Sequence, residues 1–505
     1  MALALPPTTS ARSLRTVERP TAATMSFQVL MAFSILVSVG GAIAGLTNPD
    51  YLILAVGWGT TAVVLLPTVL PGYRPWSSWS FVVMNVSIGF GVHSVAMLTE
   101  YPDVETINRV FLLGHEPADL VGPALLGLGG IAVLTASYLS ARPTARPSDR
   151  RPVDLELHPE TSRRALIVLV VGTTVTLAAF VLYAQFTGGL DWSNFSSKRT
   201  KITRVDIEND ASFRSFAYLS ELSRVGMASL LVILSLWIRD GKGLRGWRSI
   251  AIGLLFLFTI AIPVYGNVRA DVLILALYVL ALSFYSGAHL KIRHLIIAAL
   301  IGALLVQAMT ASRLAVGSSF TEALTTAGAQ ELVEPLVITQ NFADIGKTSH
   351  IHMNVPIELE WAGGDTYATW LVAFIPRDLW QGKPLVVPGP IIGNRVYGNE
   401  TSGVPPGLIG EAFWNFGYFG VALVCFLMGR FVGFVDRRLL PARGGDPFWV
   451  VVVTVGLLNI GGASLSESLG QGVFVALLNL GVAVPIAWWV WSPTRRQTPT
   501  PVAVA

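Results

Sequence analysis

Runs of about twenty apolar residues recur along this chain, and nothing else in the sequence limits its fold so severely. A helix of about twenty residues crosses the roughly 30 Å of hydrocarbon in a bilayer. Only helices and closed barrels satisfy their own backbone polar groups there. Of the 505 residues 52% are hydrophobic and 13% charged, with a mean hydropathy of +0.60. A water-soluble core would not absorb that much apolar surface. The sequence predicts an all-α polytopic membrane protein with about twelve transmembrane helices, over 25–46, 51–70, 77–98, 119–140, 165–187, 216–238, 249–266, 270–287, 294–311, 412–435, 448–464 and 471–491.

Basic residues resist translocation, so the loops that hold most of the thirty-five Lys and Arg mark the cytoplasmic side. These loops alternate in register with an even number of spans, which puts both termini in the cytoplasm and the protein in the plasma membrane. The predicted organisation is a tail over 1–24, nine spans within 25–311, a large extracytoplasmic loop over 312–411, three spans within 412–492 and a tail over 493–505. The first 24 residues lack the short apolar core and cleavage site of a signal peptide, so the first span reads as retained. Cys425 is the one cysteine, which leaves no intrachain disulfide and no cysteine-based metal site. There is no phosphate-binding loop, and the net charge of +4 reflects loop bias and not a nucleic-acid partner.

The large loop carries IPRDLWQGKP and VPPGLIGEAFWNFGYFG, where charged residues stand among Pro, Gly and Trp that shape backbone rather than fill a core. Trp380 offers a face for a sugar ring, and Arg377 and Lys383 offer phosphate or hydroxyl contacts beside Asp378. Arg395 lies in the Pro- and Gly-rich link. Glu411 begins the tenth span on the outer side. It is placed to take a proton from a sugar hydroxyl, or simply to favour a helix's first turn. His350 and His352 would share a face on a strand but not on a helix, and His352 is a second proton acceptor. The first sixty residues of the loop mix amphipathic and turn signals, which predicts two or three helices on the membrane surface, covering a site below.

Arg269, in VYGNVRADV, and Arg313, in MTASRLAVGSS, sit at the outer ends of spans. Guanidinium groups there match a lipid pyrophosphate and stabilise it as a leaving group without a metal; the plainer reading is snorkelling to the interface. Arg224, inside the sixth span, needs an acidic partner, and Glu221 is three residues away on the same face. Five cations in the third outer loop (Lys198, Arg199, Lys201, Arg204 and Arg214) suit an anionic ligand or lipid headgroups. Asp103 and Glu105, in the second, are either a solvated connector or the acidic motif of a metal-using transferase with a lipid-phosphate sugar donor.

Across roughly 264–434, on GNVRAD, Arg313 after a span, IPRDLWQGKP and PPGLIGEAFWNFGYFG, the chain resembles the O-antigen polymerase, or oligosaccharide repeat-unit polymerase, family. That resemblance implies a C-type glycosyltransferase-like fold, an undecaprenyl-pyrophosphate-linked glycan donor and acceptor in the lipid bilayer, and a chain-length regulator as a further partner. It also implies no cofactor and no metal, with the essential arginines matched by Arg269, Arg313 and Arg377. An O-antigen ligase-type transferase, a lipid-phosphate-sugar transferase and a transporter or flippase are the rival readings.

Overall fold

A computed structural model describes residues 22–70, 73, 77–141, 157–186, 219, 221–240, 243–265, 269–288, 302, 304–305, 309, 337–338, 342–375, 379–399, 403–439, 447–458 and 464–495. The described residues contain helices and no strand. The principal helices are α1 (Ala22–Ala44), α2 (Pro49–Val69), α3 (Ser78–Thr99), α4 (Pro117–Ala141), α5 (Pro159–Phe186), α6 (Ser223–Arg239), α7 (Trp247–Tyr265), α8 (Arg269–Tyr285), α9 (Ile345–Asn354), α10 (Gly407–Leu439), α11 (Pro447–Leu458) and α12 (Leu469–Arg495). Among the described residues eight helical stretches are long and apolar enough to cross a membrane, which makes this a multi-pass membrane protein. Three further expected spans correspond to the shorter α6, α8 and α11. The ninth, over 294–311, falls almost wholly outside the described residues.

The helices gather around two hydrophobic cores. One joins α2, α3, α4, α9 and α10, with α1 along its side; the other joins α5, α6, α7, α8, α11 and α12. Phe431 of α10 packs against both. Small residues set the first core: a Cβ on Gly429 would lie 2.3 Å from the Leu134 carbonyl oxygen, and one on Gly433 2.7 Å from Ala141 Cβ. Such close backbone approach of α4 and α10 favours dispersion contacts where lipid supplies no hydrophobic drive. Asp436, buried in α10, accepts from Ser78 N at 2.7 Å and from Tyr138 Oη at 2.8 Å, so it satisfies an orphan donor at the start of α3.

The described part of the large polar segment differs most from expectation. α9, expected on the membrane surface, is instead inserted among α3, α4 and α10, and its first seven residues are buried. A π turn over Ser87–Val92 interrupts α3, and Gly89 in it lets the incoming chain touch: a Cβ there would lie 1.4 Å from the Ala343 carbonyl oxygen. Asp344 caps α9, accepting from Lys347 N at 3.1 Å, and its other oxygen accepts from His93 Nδ1 of α3 at 2.9 Å. His93 lies six residues short of the end of α3, so the start of α9 sits about 9 Å below that end. The polar side chains of α9 find partners inside the protein, which is why it buries where an unpartnered amphipathic helix would stay on a surface.

Candidate functional site

Thr99, Pro117, Gly407 and Leu469 mark one end of the helical body, hereafter the loop end. Here the short connector between α11 and α12 collects hydrogen bonds from three directions. Gly407 N donates to Glu467 O at 2.6 Å, Lys347 Nζ lies 3.4 Å from Ser466 O, and Glu411 Oε2 accepts from Leu469 N at 2.7 Å. Glu411 thus caps the start of α12, a helix other than its own. Its second oxygen accepts from Thr366 Oγ1 at 2.9 Å, and Thr366 Oγ1 accepts in turn from Asn415 Nδ2 at 2.7 Å. Glu411 is at 0% exposure with both oxygens engaged, and the Thr366 hydroxyl links its carboxylate to the cavity that Thr366 lines.

Thr366 lies on the wall of a cavity of about 580 Å³ whose other walls include Trp414, Glu360, Asp365, Arg395 and the stretch Pro384–Pro388. Trp414 is fixed as a flat wall: its Nε1 donates to Glu360 O at 2.7 Å, and its own carbonyl accepts from Ala362 N at 3.1 Å. The chain then breaks helical geometry at Phe416 and Gly417, where Gly417 takes φ 63° against the Trp361 ring. Arg395, at the end of the short helix Gly389–Arg395, lines the cavity together with Glu360 and Asp365, and its guanidinium donates to Glu358 O at 3.5 Å. A concave wall that carries one indole, two threonines, two acidic residues and one arginine suits a polyhydroxylated, weakly charged ligand.

The other expected site residues scatter. Lys383 turns inward at 9% exposure, and its Nζ donates to Ala373 O and Ile375 O, both at 2.7 Å. It closes a loop where a phosphate contact was expected. Trp380 is partly exposed and does not line the cavity. His350 and His352 diverge, as their spacing on a helix requires. His350 Nε2 donates to Phe111 O at 2.6 Å, and burial pushes its imidazole down to about 4. His352 Nε2 lies 2.7 Å from Tyr418 Oη beside the Phe413 ring, and burial likewise lowers its proton affinity. Arg224 pairs with Glu221 and Asn479 within the second core's helices, the partner its spacing predicts. Asp103 caps the short helix Val104–Ile107.

Arg269 begins α8, its side chain outside the described residues, as are Arg313, Arg377, Asp378 and the basic stretch from Lys198 to Arg214. Among the described residues no three His, Cys, Asp or Glu side chains gather as a metal site. Sequence reading passed over Thr366, Asp365, Glu360 and Trp414. Trp414 had a signal, three residues after Glu411 on one helical face; Thr366 had none, because its partners are 45 and 49 residues away. Comparison of the chain with protein families, with curated proteins and with solved structures returns no match.

Proposed function

We propose that this protein is a membrane glycosyltransferase that joins oligosaccharide repeat units carried on a polyprenyl pyrophosphate, on the outer face of the plasma membrane. The observation that carries this reading is the Trp414-walled cavity at the loop end, built by the large polar segment against the starts of α10 and α12. At about 580 Å³ it has the volume of a binding site for a few sugar rings. An acceptor hydroxyl in the cavity attacks the donor's anomeric carbon and expels the lipid pyrophosphate. Its proton passes to Thr366 Oγ1 as the Thr366 proton passes to Glu411. Cations hold the departing pyrophosphate; Arg269, Arg313 and Arg377 keep that role from the sequence argument.

The test is complementation of a deletion strain, read as the length ladder of its surface glycan. Deletion leaves single units, wild type and Thr366→Ser restore long chains, and Thr366→Val and Arg395→Ala, at equal protein level, do not. Long chains in the deletion strain sink the polymerase reading. Long chains with Thr366→Val sink the proton route alone. One observation favours a second reading, transport: α9 brings Asp344 and Lys347, at 2% and 1% exposure, into the helical body. Lipid-linked glycan trapped on the cytoplasmic face of the deletion strain would decide for it.

A further inference from the structure

The stretch from Gly364 to Phe374 lies across the starts of two candidate spans. Tyr367 stacks on Phe416 of α10 with ring centroids 6.1 Å apart, and Trp370 packs on Phe474 of α12 at 5.4 Å. Trp370 also fills the space beside Gly470, where a Cβ would lie 1.9 Å from its ring. Gly470 is in the first turn of α12, so this stretch sits at the height where the span begins. From there the chain directs apolar side chains away from the protein: Leu371 is 75% exposed and Phe374 70%. Leu379 follows at 82%, with Trp380 partly exposed. Lys383 holds the two sides together, with Nζ on Ala373 O and Ile375 O and its own N donating to Trp380 O at 3.1 Å. A side chain of this length spent on two carbonyls fixes the projection of the apolar groups on either side.

We infer that Leu371, Phe374, Leu379 and Trp380 form a membrane-anchoring surface whose partner is the lipid of the leaflet at the loop end. Positions 376–378 lie outside the described residues and form no part of it. Two facts select lipid as the occupant. Trp370, next to Leu371, stands at the level of the first turn of α12, and that helix exposes Val473 and Leu477 just below, the outward face of a span. A Trp beside bulky aliphatics is also the composition of the zone between headgroups and acyl chains. The same stretch supplies Val372, Pro384 and Leu385 to the cavity wall, so the anchor sets how that wall stands relative to the bilayer. The inference needs no particular chemistry in the cavity.

A nitroxide spin label placed by Leu379→Cys, and separately by Leu371→Cys, tests it in nanodiscs of phosphatidylethanolamine and phosphatidylglycerol. Cys425 is fully buried and stays unlabelled in the folded protein. The expected result is collision with dissolved oxygen several-fold above collision with a water-soluble nickel chelate at both positions, and the reverse for a label at exposed Glu358. Nickel-dominated collision at either position means water and overturns the inference. Low collision with both reagents means a covering protein and overturns it equally.

Discussion

Removing Asp344 disconnects α9 from α3, and the size of the effect follows from the groups left behind. Asp344→Ala deletes the cap of α9, worth about 1 kcal/mol. It also removes the acceptor of His93 Nδ1, in a side chain that is fully buried and whose Nε2 has no partner among the described residues. Stranding the donor of a buried hydrogen bond costs about 1–3 kcal/mol. Replacing both members with apolar groups costs far less, so Asp344→Ala combined with His93→Phe should be less damaging than the sum of the two by at least about 1.5 kcal/mol. Against a total stability of about 5–15 kcal/mol the single change is severe. Cys425, the only thiol and fully buried, makes the assay direct: a fluorogenic maleimide reacts only as the protein unfolds. The two losses together come to about 2–4 kcal/mol, and at about 2–4 °C per kcal/mol Asp344→Ala should lower Tm by about 4–16 °C. A fall under about 2 °C, or additivity within about 0.5 kcal/mol, would refute the reasoning.

Gly89→Ala should unseat α9, because its Cβ would stand 1.4 Å from the Ala343 carbonyl oxygen, whereas Gly40→Ala has nothing within 4 Å and should be neutral. Limited proteolysis within 342–375 distinguishes them, and equal resistance of the two variants would count against the close packing. His350 has a folded pKa pushed by burial to about 4 against an ordinary 6.5. Its contribution is therefore complete above pH 6.5 and lost as pH falls towards 4, by about 3 kcal/mol in all. Tm measured at pH 7 and pH 4.5 should drop less in His350→Gln than in the wild type; equal drops would remove His350 from the acid sensitivity.

The helical class and its membrane setting are legible because hydropathy over twenty residues is a local quantity, and the Arg224–Glu221 pair because helical spacing is local too. Long-range partners are not legible. Lys383 reads as a phosphate contact until the carbonyls of Ala373 and Ile375 are seen to take it. Glu411 reads from the sequence as a carboxylate at a helix start, but the helix it caps is α12, 58 residues on. α9 reads as a surface helix from its mix of amphipathic and turn signals, because the partner that helps bury it is far off in sequence: His93 lies 251 residues from Asp344 in the chain. The cavity escaped for the same reason, since Thr366 and Trp414 acquire meaning only once the broken start of α10 brings them together.

The connector between α11 and α12 is also a statement about time. Chains are made from the N-terminus, and Gly407, Glu411 and Lys347 each have a partner among Glu467, Leu469 and Ser466, residues made more than fifty positions after them. Until that stretch has left the ribosome, Lys347 lacks its Ser466 contact and Glu411 its helix end. The loop-end cavity therefore gains its support on Glu411, and through it on Thr366, only once α12 has begun to form. A nascent protein stalled before residue 464 would carry every residue of the cavity wall and still have no finished site.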